Sequence, residues 1–129
     1  MRAFTIIALL FLVACGGPAA PTATGVEERL TSAGASNFHE DAIVANSPLP
    51  RSFTTRRAFT MESVAPKGGQ YFICDAKRDC DAIAAYFNAL KALAGPYIYQ
   101  SPSGLVVVQL NSGLTPGEAE KVAQVVAGL

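Results

Sequence analysis

One helix constrains this chain more than any other stretch. Between Asp75 and Ala94, the residues Cys80, Ile83, Ala84, Phe87, Leu90 and Ala94 recur at three- and four-residue spacing. That spacing sets them in one stripe along an α-helix, and the stripe needs a surface to bury it. Asp75 is suited to cap the start, with Asp79 as the alternative. Gly95-Pro96 ends the helix, because glycine takes the left-handed position that follows one and proline cannot continue it. An amphipathic helix of this kind packs on another layer, and the flanking segments read as strands.

Gln70 to Cys74, just upstream, is a nearly continuous apolar run and fits a well-buried strand. Downstream, Tyr97–Gln100 and Leu105–Leu110 form two strands. Ser101-Pro102-Ser103-Gly104 joins them with the signature of a type I turn. Thr115-Pro116-Gly117-Glu118 opens a last helix with a capping box and proline at its first position, and Ala119, Val122, Ala123 and Val126 then face the core. Tyr97 and Tyr99 share one strand face and are expected to pack under that helix.

Earlier in the chain, Ser52–Val64 alternates, with Phe53, Thr55, Arg57, Phe59 and Met61 on one side. Arg57 is the flaw in that apolar side, and it implies either a sheet margin or a bulge. Phe38–Ala45 is a further strand, and Asn46-Ser47-Pro48-Leu49-Pro50 a loop. Val26–Ala33 reads as a short helix stopped by Gly34, with Thr24 and Glu27 at capping-box spacing. The order is α-β-β-β-α-β-β-α. Hairpins dominate, so the fold class is α+β: an antiparallel sheet with helices packed on one face, ferredoxin-like in spirit.

The N-terminus has a different character. Met1-Arg2 is followed by Ala3–Val13, apolar but for Thr5, and then by Leu12-Val13-Ala14-Cys15-Gly16. The apolar run has the length of a secretory signal and is short for a membrane span of about 20 residues. Charge, apolar run, Leu before the small residue, and Cys together resemble a bacterial lipoprotein signal with its lipobox. That resemblance implies that residues 1–14 are a signal peptide. It also implies that Cys15 receives a diacylglyceryl group and an N-acyl chain, and that the protein is held by lipid outside the cytoplasm. Two or three acyl chains make such attachment durable where one does not. Gly16 carries no retention signal, so inner and outer membrane both stay open. Residues 16–25 are small and turn-forming, and with Cys15 they read as a flexible tether of at most about 33 to 36 Å. Residues 26–129 then make one small domain. The Gly95-Pro96-Tyr97 and Val108-Gln109-Leu110 neighbourhoods resemble small uncharacterised domains of bacterial lipoproteins, a likeness that transfers no activity.

Export bears on the cysteines. With Cys15 lipidated, Cys74 and Cys80 remain, and an even pair in an exported chain is read as a disulfide. Cys80 lies on the helix stripe and points toward the strand end that carries Cys74. The alternative is a redox pair, but the spacing is not Cys-x-x-Cys, and Asp75, Asp79 and Asp81 disfavour a thiolate. Zinc would want four ligands, and the single histidine, His39, is distant in sequence. The three aspartates lack the glycine-bearing loop of a calcium hand and suit a helix N-terminus instead. His39 has no nucleophile motif to serve and reads as a surface residue. Arg51, Arg56 and Arg57 form the one basic cluster, either a solvated strand face or a patch toward anionic lipid.

Ten basic and ten acidic residues balance, which removes the electrostatic basis for nucleic-acid binding. No convergent catalytic set and no cofactor motif is present. The expected function is therefore a non-enzymatic binding module at a bacterial membrane, for an envelope protein or a small ligand. The alternative is a thiol–disulfide redox accessory or small enzyme using Cys74 and Cys80.

Overall fold

The computed structural model describes residues 19–129, so the lipobox and Cys15 lie outside the described residues. Helix α1 (Ala23–Ser32) leads into strands β1 (Ala35–His39) and β2 (Thr55–Met61). A single 3-10 turn (Glu62–Val64) precedes β3 (Gly68–Ile73). Helix α2 (Lys77–Ala89) and one further turn, α3 (Lys91–Ala94), come next. Strands β4 (Ile98–Gln100) and β5 (Val106–Leu110) and helix α4 (Pro116–Val126) complete the unit. The five strands form one antiparallel sheet in the order β1-β2-β3-β5-β4. The α+β class and the expected order of elements hold. Because β5 pairs with both β3 and β4, the connection through α2 steps over one strand. That is the split β-α-β unit of ferredoxin-like folds.

The placement of helices on one face does not hold. Helices α1 and α4 cover one side of the sheet, burying Val26, Leu30, Val122 and Val126 against Phe59, Tyr71, Val106 and Val108. Helix α2 covers part of the other side, where Ile83 and Phe87 pack on Phe72 and Val107. The physical reason lies in the central strands. All five residues of β5 are buried, and in β3 only Gln70 is partly exposed, so neither strand alternates between a buried and a solvent face. A sheet covered on one side alternates apolar and polar residues; these strands are apolar on both sides because both sides are covered.

Local chemistry explains the element ends. In α4, Thr115 Oγ1 accepts from the Glu118 N–H while the Glu118 carboxylate accepts from the Thr115 N–H, the expected capping box with Pro116 inside it. Gly95 has φ 114°, a conformation that L side chains rarely adopt, and a Cβ there would lie 2.6 Å from the Leu110 carbonyl oxygen. Glycine is required at this point because the chain leaving α3 passes directly against the end of β5. Tyr97 and Tyr99 pack on the core under α4, as expected.

Three boundaries move. Helix α1 starts at Ala23, capped by Thr22, whose Oγ1 accepts from the Gly25 N–H. The capping box expected at Thr24 is not used, and residues 22–25 belong to the folded unit rather than to the tether. Strand β1 covers Ala35–His39 instead of residues 38–45, with a bulge at Asn37, whose φ is 50°. Helix α2 has Ala76, not an aspartate, at its cap position, without a side-chain cap.

Candidate functional site

The two sides of the sheet are finished differently. Under α1, the surface closes around a polar inset. Arg57 donates through an Nη1 H to Glu27 Oε1 at 2.7 Å, and through an Nη2 H to the Phe38 carbonyl oxygen at 3.0 Å. The Tyr71 hydroxyl donates to the same Glu27 oxygen at 2.7 Å. Burial pushes the Tyr71 hydroxyl pKa far above its ordinary value; the hydrogen bond to Glu27 and that carboxylate's charge push the same way, and Arg57 partly opposes them. Arg57 is therefore neither a bulge nor a sheet margin. It is the partner of an acid thirty residues upstream, and its Nε is the one buried side-chain polar atom without a partner among the described residues.

The expected basic patch is not assembled. Neighbours along a strand point to opposite sides, so Arg56 and Arg57 cannot share a face. Arg57 is tied to Glu27, Arg56 serves the opposite side, and Arg51 stands exposed in the connection after β1.

On that opposite side, α2 does not reach across β2 and β1. A hydrogen-bonded chain of side chains runs from the uncovered β2 across β3 to β5. Arg56 donates through an Nη1 H to the Asp41 carbonyl oxygen at 2.9 Å and through its Nε H to Gln70 Oε1 at 2.8 Å. Gln70 Nε2 donates to Gln109 Oε1 at 2.9 Å. Gln109 Nε2 in turn donates to the Ala94 and Leu110 carbonyl oxygens at 2.8 and 2.7 Å. Gln109 is only 1% exposed, so this is a satisfied buried polar network and not a surface coincidence. Cross-strand register builds it: Ala58, Gln70 and Gln109 stand opposite one another on β2, β3 and β5.

Above the chain lie two adjoining hollows that share Arg56 and Gln70 and together make up a groove. The polar one, about 270 Å³, is bounded by His39, Asp41, Lys67 and Asn111, with Gln70 and Gln109 in its floor. The apolar one, about 200 Å³, lies between the residue 42–49 connection and α2, against Ile43, Val44, Tyr86 and Phe87. Arg56 and Gln70 line both. A more apolar hollow of about 420 Å³ beside residues 19–22 is larger, but Arg29 is its one charged side chain and it has no buried polar floor. Convergent polar groups, more than volume, mark a ligand site, so the groove is the candidate. His39, expected at the surface, is half-exposed at the rim, with Nδ1 2.7 Å from the Asn37 carbonyl oxygen and Nε2 3.3 Å from Asp41 Oδ1. No hydroxyl or thiol nucleophile lines either the groove's polar wall or its floor next to that histidine.

Cys74 and Cys80 are joined by a disulfide with a Cα–Cα distance of 5.7 Å, and both residues are buried. The bridge ties the end of β3 to the first turn of α2, beneath Phe72 and Ile83 and away from the groove's polar compartment. Of the neighbouring aspartates, Asp81 accepts from Lys77 and Gln100, whose hydrogen bonds hold its carboxyl below the usual range. Asp79 lies in the first turn of α2, and Asp75 is exposed before it. Among the described residues, no three His, Cys, Asp or Glu side chains are grouped to hold a metal ion, and no helix is long and apolar enough to cross a membrane.

The groove's floor was not visible in the sequence reading. Gln70 and Gln109 each stood alone as a polar residue in an apolar strand. A signal was available: both occupy strands otherwise buried on two sides, where a polar residue needs a partner. No family model matches the chain, and neither a curated protein nor a solved structure matches it.

Proposed function

We propose that this chain is a lipid-anchored protein of the bacterial cell envelope whose folded unit binds a ligand in the groove and catalyses nothing. The anchor reading is carried by one observation, the Leu12-Val13-Ala14-Cys15-Gly16 sequence behind its apolar run. The buried Cys74–Cys80 bridge supports it, since such bonds persist in oxidising compartments. With α1 beginning at Ala23, the tether is shorter than the sequence suggested. Cys15 and Thr22 are seven residues apart, a reach of about 23 to 25 Å, which would hold the groove near the lipid surface. The binding reading is supported by the cationic polar compartment beside an apolar one, over a floor fixed by hydrogen bonds.

The redox alternative is not favoured. A redox pair exposes an attacking sulfur, whereas Cys74 and Cys80 are 2% and 0% exposed. The test of the anchor is Cys15→Ser in the native host. The variant is expected to leave the membrane fraction and to lose incorporation of labelled palmitate, while keeping its disulfide. Unchanged membrane attachment and labelling would end the lipoprotein reading and leave the groove untouched.

A further inference from the structure

We infer that the groove takes the C-terminal end of an extended peptide, its carboxylate on Arg56 and Lys67 and its last, apolar side chain in the compartment beside Tyr86 and Val44. The inference deepens the binding reading above and rests on it.

Charge comes first. Arg56 has five N–H groups, and the two engaged among the described residues go to the neutral oxygens of Gln70 and Asp41. Neither Arg56 nor Lys67 has a carboxylate partner among the described residues; the same is true of Arg29, Arg51, Lys91 and Lys121, but Arg56 and Lys67 line one hollow together. The one acid at the groove, Asp41, is turned to His39. Two cations unpaired among the described residues thus share one concave place with a single acid. With Nε and one Nη1 hydrogen engaged, three N–H groups, two of them on Nη2, are left to donate to a carboxylate.

Adjacency comes second. Arg56 and Gln70 line both compartments, so the cation and the apolar wall meet at the same two side chains. One residue ending a peptide presents a carboxylate and a side chain from a single Cα, which is that pairing. Size comes third. The apolar compartment, about 200 Å³ and open to solvent, is on the scale of one large side chain. Its rim includes Val44, which is 76% exposed. Last, Asn111 Oδ1 is occupied by the Gly68 N–H, which leaves its amide hydrogens to donate to a peptide carbonyl.

The test uses the detergent-solubilised full chain and a fluorescein-labelled peptide Gly-Ser-Gly-Ala-Leu, as free acid and as C-terminal amide, read by anisotropy. The free acid is expected to bind about tenfold or more tighter than the amide, since a lost charge-assisted hydrogen bond is worth at least that factor. Lys67→Glu should weaken the acid by a similar factor, and Val44→Asp should weaken both forms; circular dichroism confirms that each variant is folded. Equal binding of acid and amide, blocked by Val44→Asp, would overturn the carboxylate assignment and leave the groove as the binding site. Displacement of the peptide by octanoate at lower concentration than by unlabelled peptide acid would overturn the peptide in favour of a fatty anion. Inorganic phosphate binding that Lys67→Glu abolishes, with no binding of either peptide, would overturn it in favour of a simple anion site. Binding of none of these would overturn both the inference and the groove reading.

Discussion

The two sides of this sheet receive residues from the same strands and end in opposite conditions. Under α1 and α4 the sheet is covered, and its polar groups, Glu27, Arg57 and Tyr71, point at one another. Opposite, α2 covers only part of the sheet, and Arg56 and Gln70 form an ordered floor beside its edge, backed by the buried Gln109. A polar network enclosed by helices pins one layer to the next. The same kind of network left at the edge of a helix presents fixed donors to whatever arrives. The difference lies in where a helix stops, since Arg56 and Arg57 are adjacent in sequence and go to opposite fates.

That contrast can be broken most forcefully at the sealed side. Leu30→Ala removes a fully buried side chain between α1 and the sheet and is expected to cost about 2 to 5 kcal/mol. Calorimetry should show a drop in Tm of about 10 °C or more for a domain this size. Reducing the Cys74–Cys80 bridge, which anchors the half-covered side, should cost about 2.4 kcal/mol on the chain-entropy model of a seven-residue loop. Denaturant titration with and without a strong reductant measures it.

Glu27→Ala is next, at about 1 to 2 kcal/mol by the same titration. The cost is held below that of a fully buried pair because the Glu27 and Arg57 side chains keep 21% and 29% of their exposure. The Tyr71 shift adds a pH signature. Its folded pKa is raised, so the stabilisation is complete below the ordinary value of 10 and is lost as pH rises above it. Stability should therefore fall above about pH 10, and Tyr71→Phe should flatten that fall. The smallest effect is expected on the open side. Lys67→Glu alters an exposed residue with no ion-pair partner among the described residues. It should move stability by under about 0.5 kcal/mol while changing binding, which the sealed-side substitutions reverse in rank.

Legibility in the sequence followed the range of the interactions. Helix α4 could be read whole because Thr115, Pro116 and Glu118 carry its start within four residues. The disulfide was legible because the helix stripe placed Cys80 toward the strand of Cys74. Arg57 was visible only as an anomaly, since its explanation, Glu27, lies on a separate helix. The floor of the groove was hidden for the same reason: Arg56, Gln70 and Gln109 meet through register across three strands, which no single segment encodes. The two-sided covering was written in Val106-Val107-Val108, an apolar run with no polar alternation, but the hairpin pattern of neighbouring segments pointed to a one-sided sheet. Strand β1 escaped the alternation because a positive-φ asparagine, Asn37, puts a bulge in its middle, a local chemistry that alternation does not reveal.

The central claim is that the open half of the second side is where this protein meets its ligand. It is tested most directly by placing a photo-reactive benzoylphenylalanine at Lys67 or at Thr31, on the exposed face of α1, in the full chain made in its native host. Crosslinked adducts are expected from position 67 and not from position 31. Adducts from position 31, or from neither position, would contradict it.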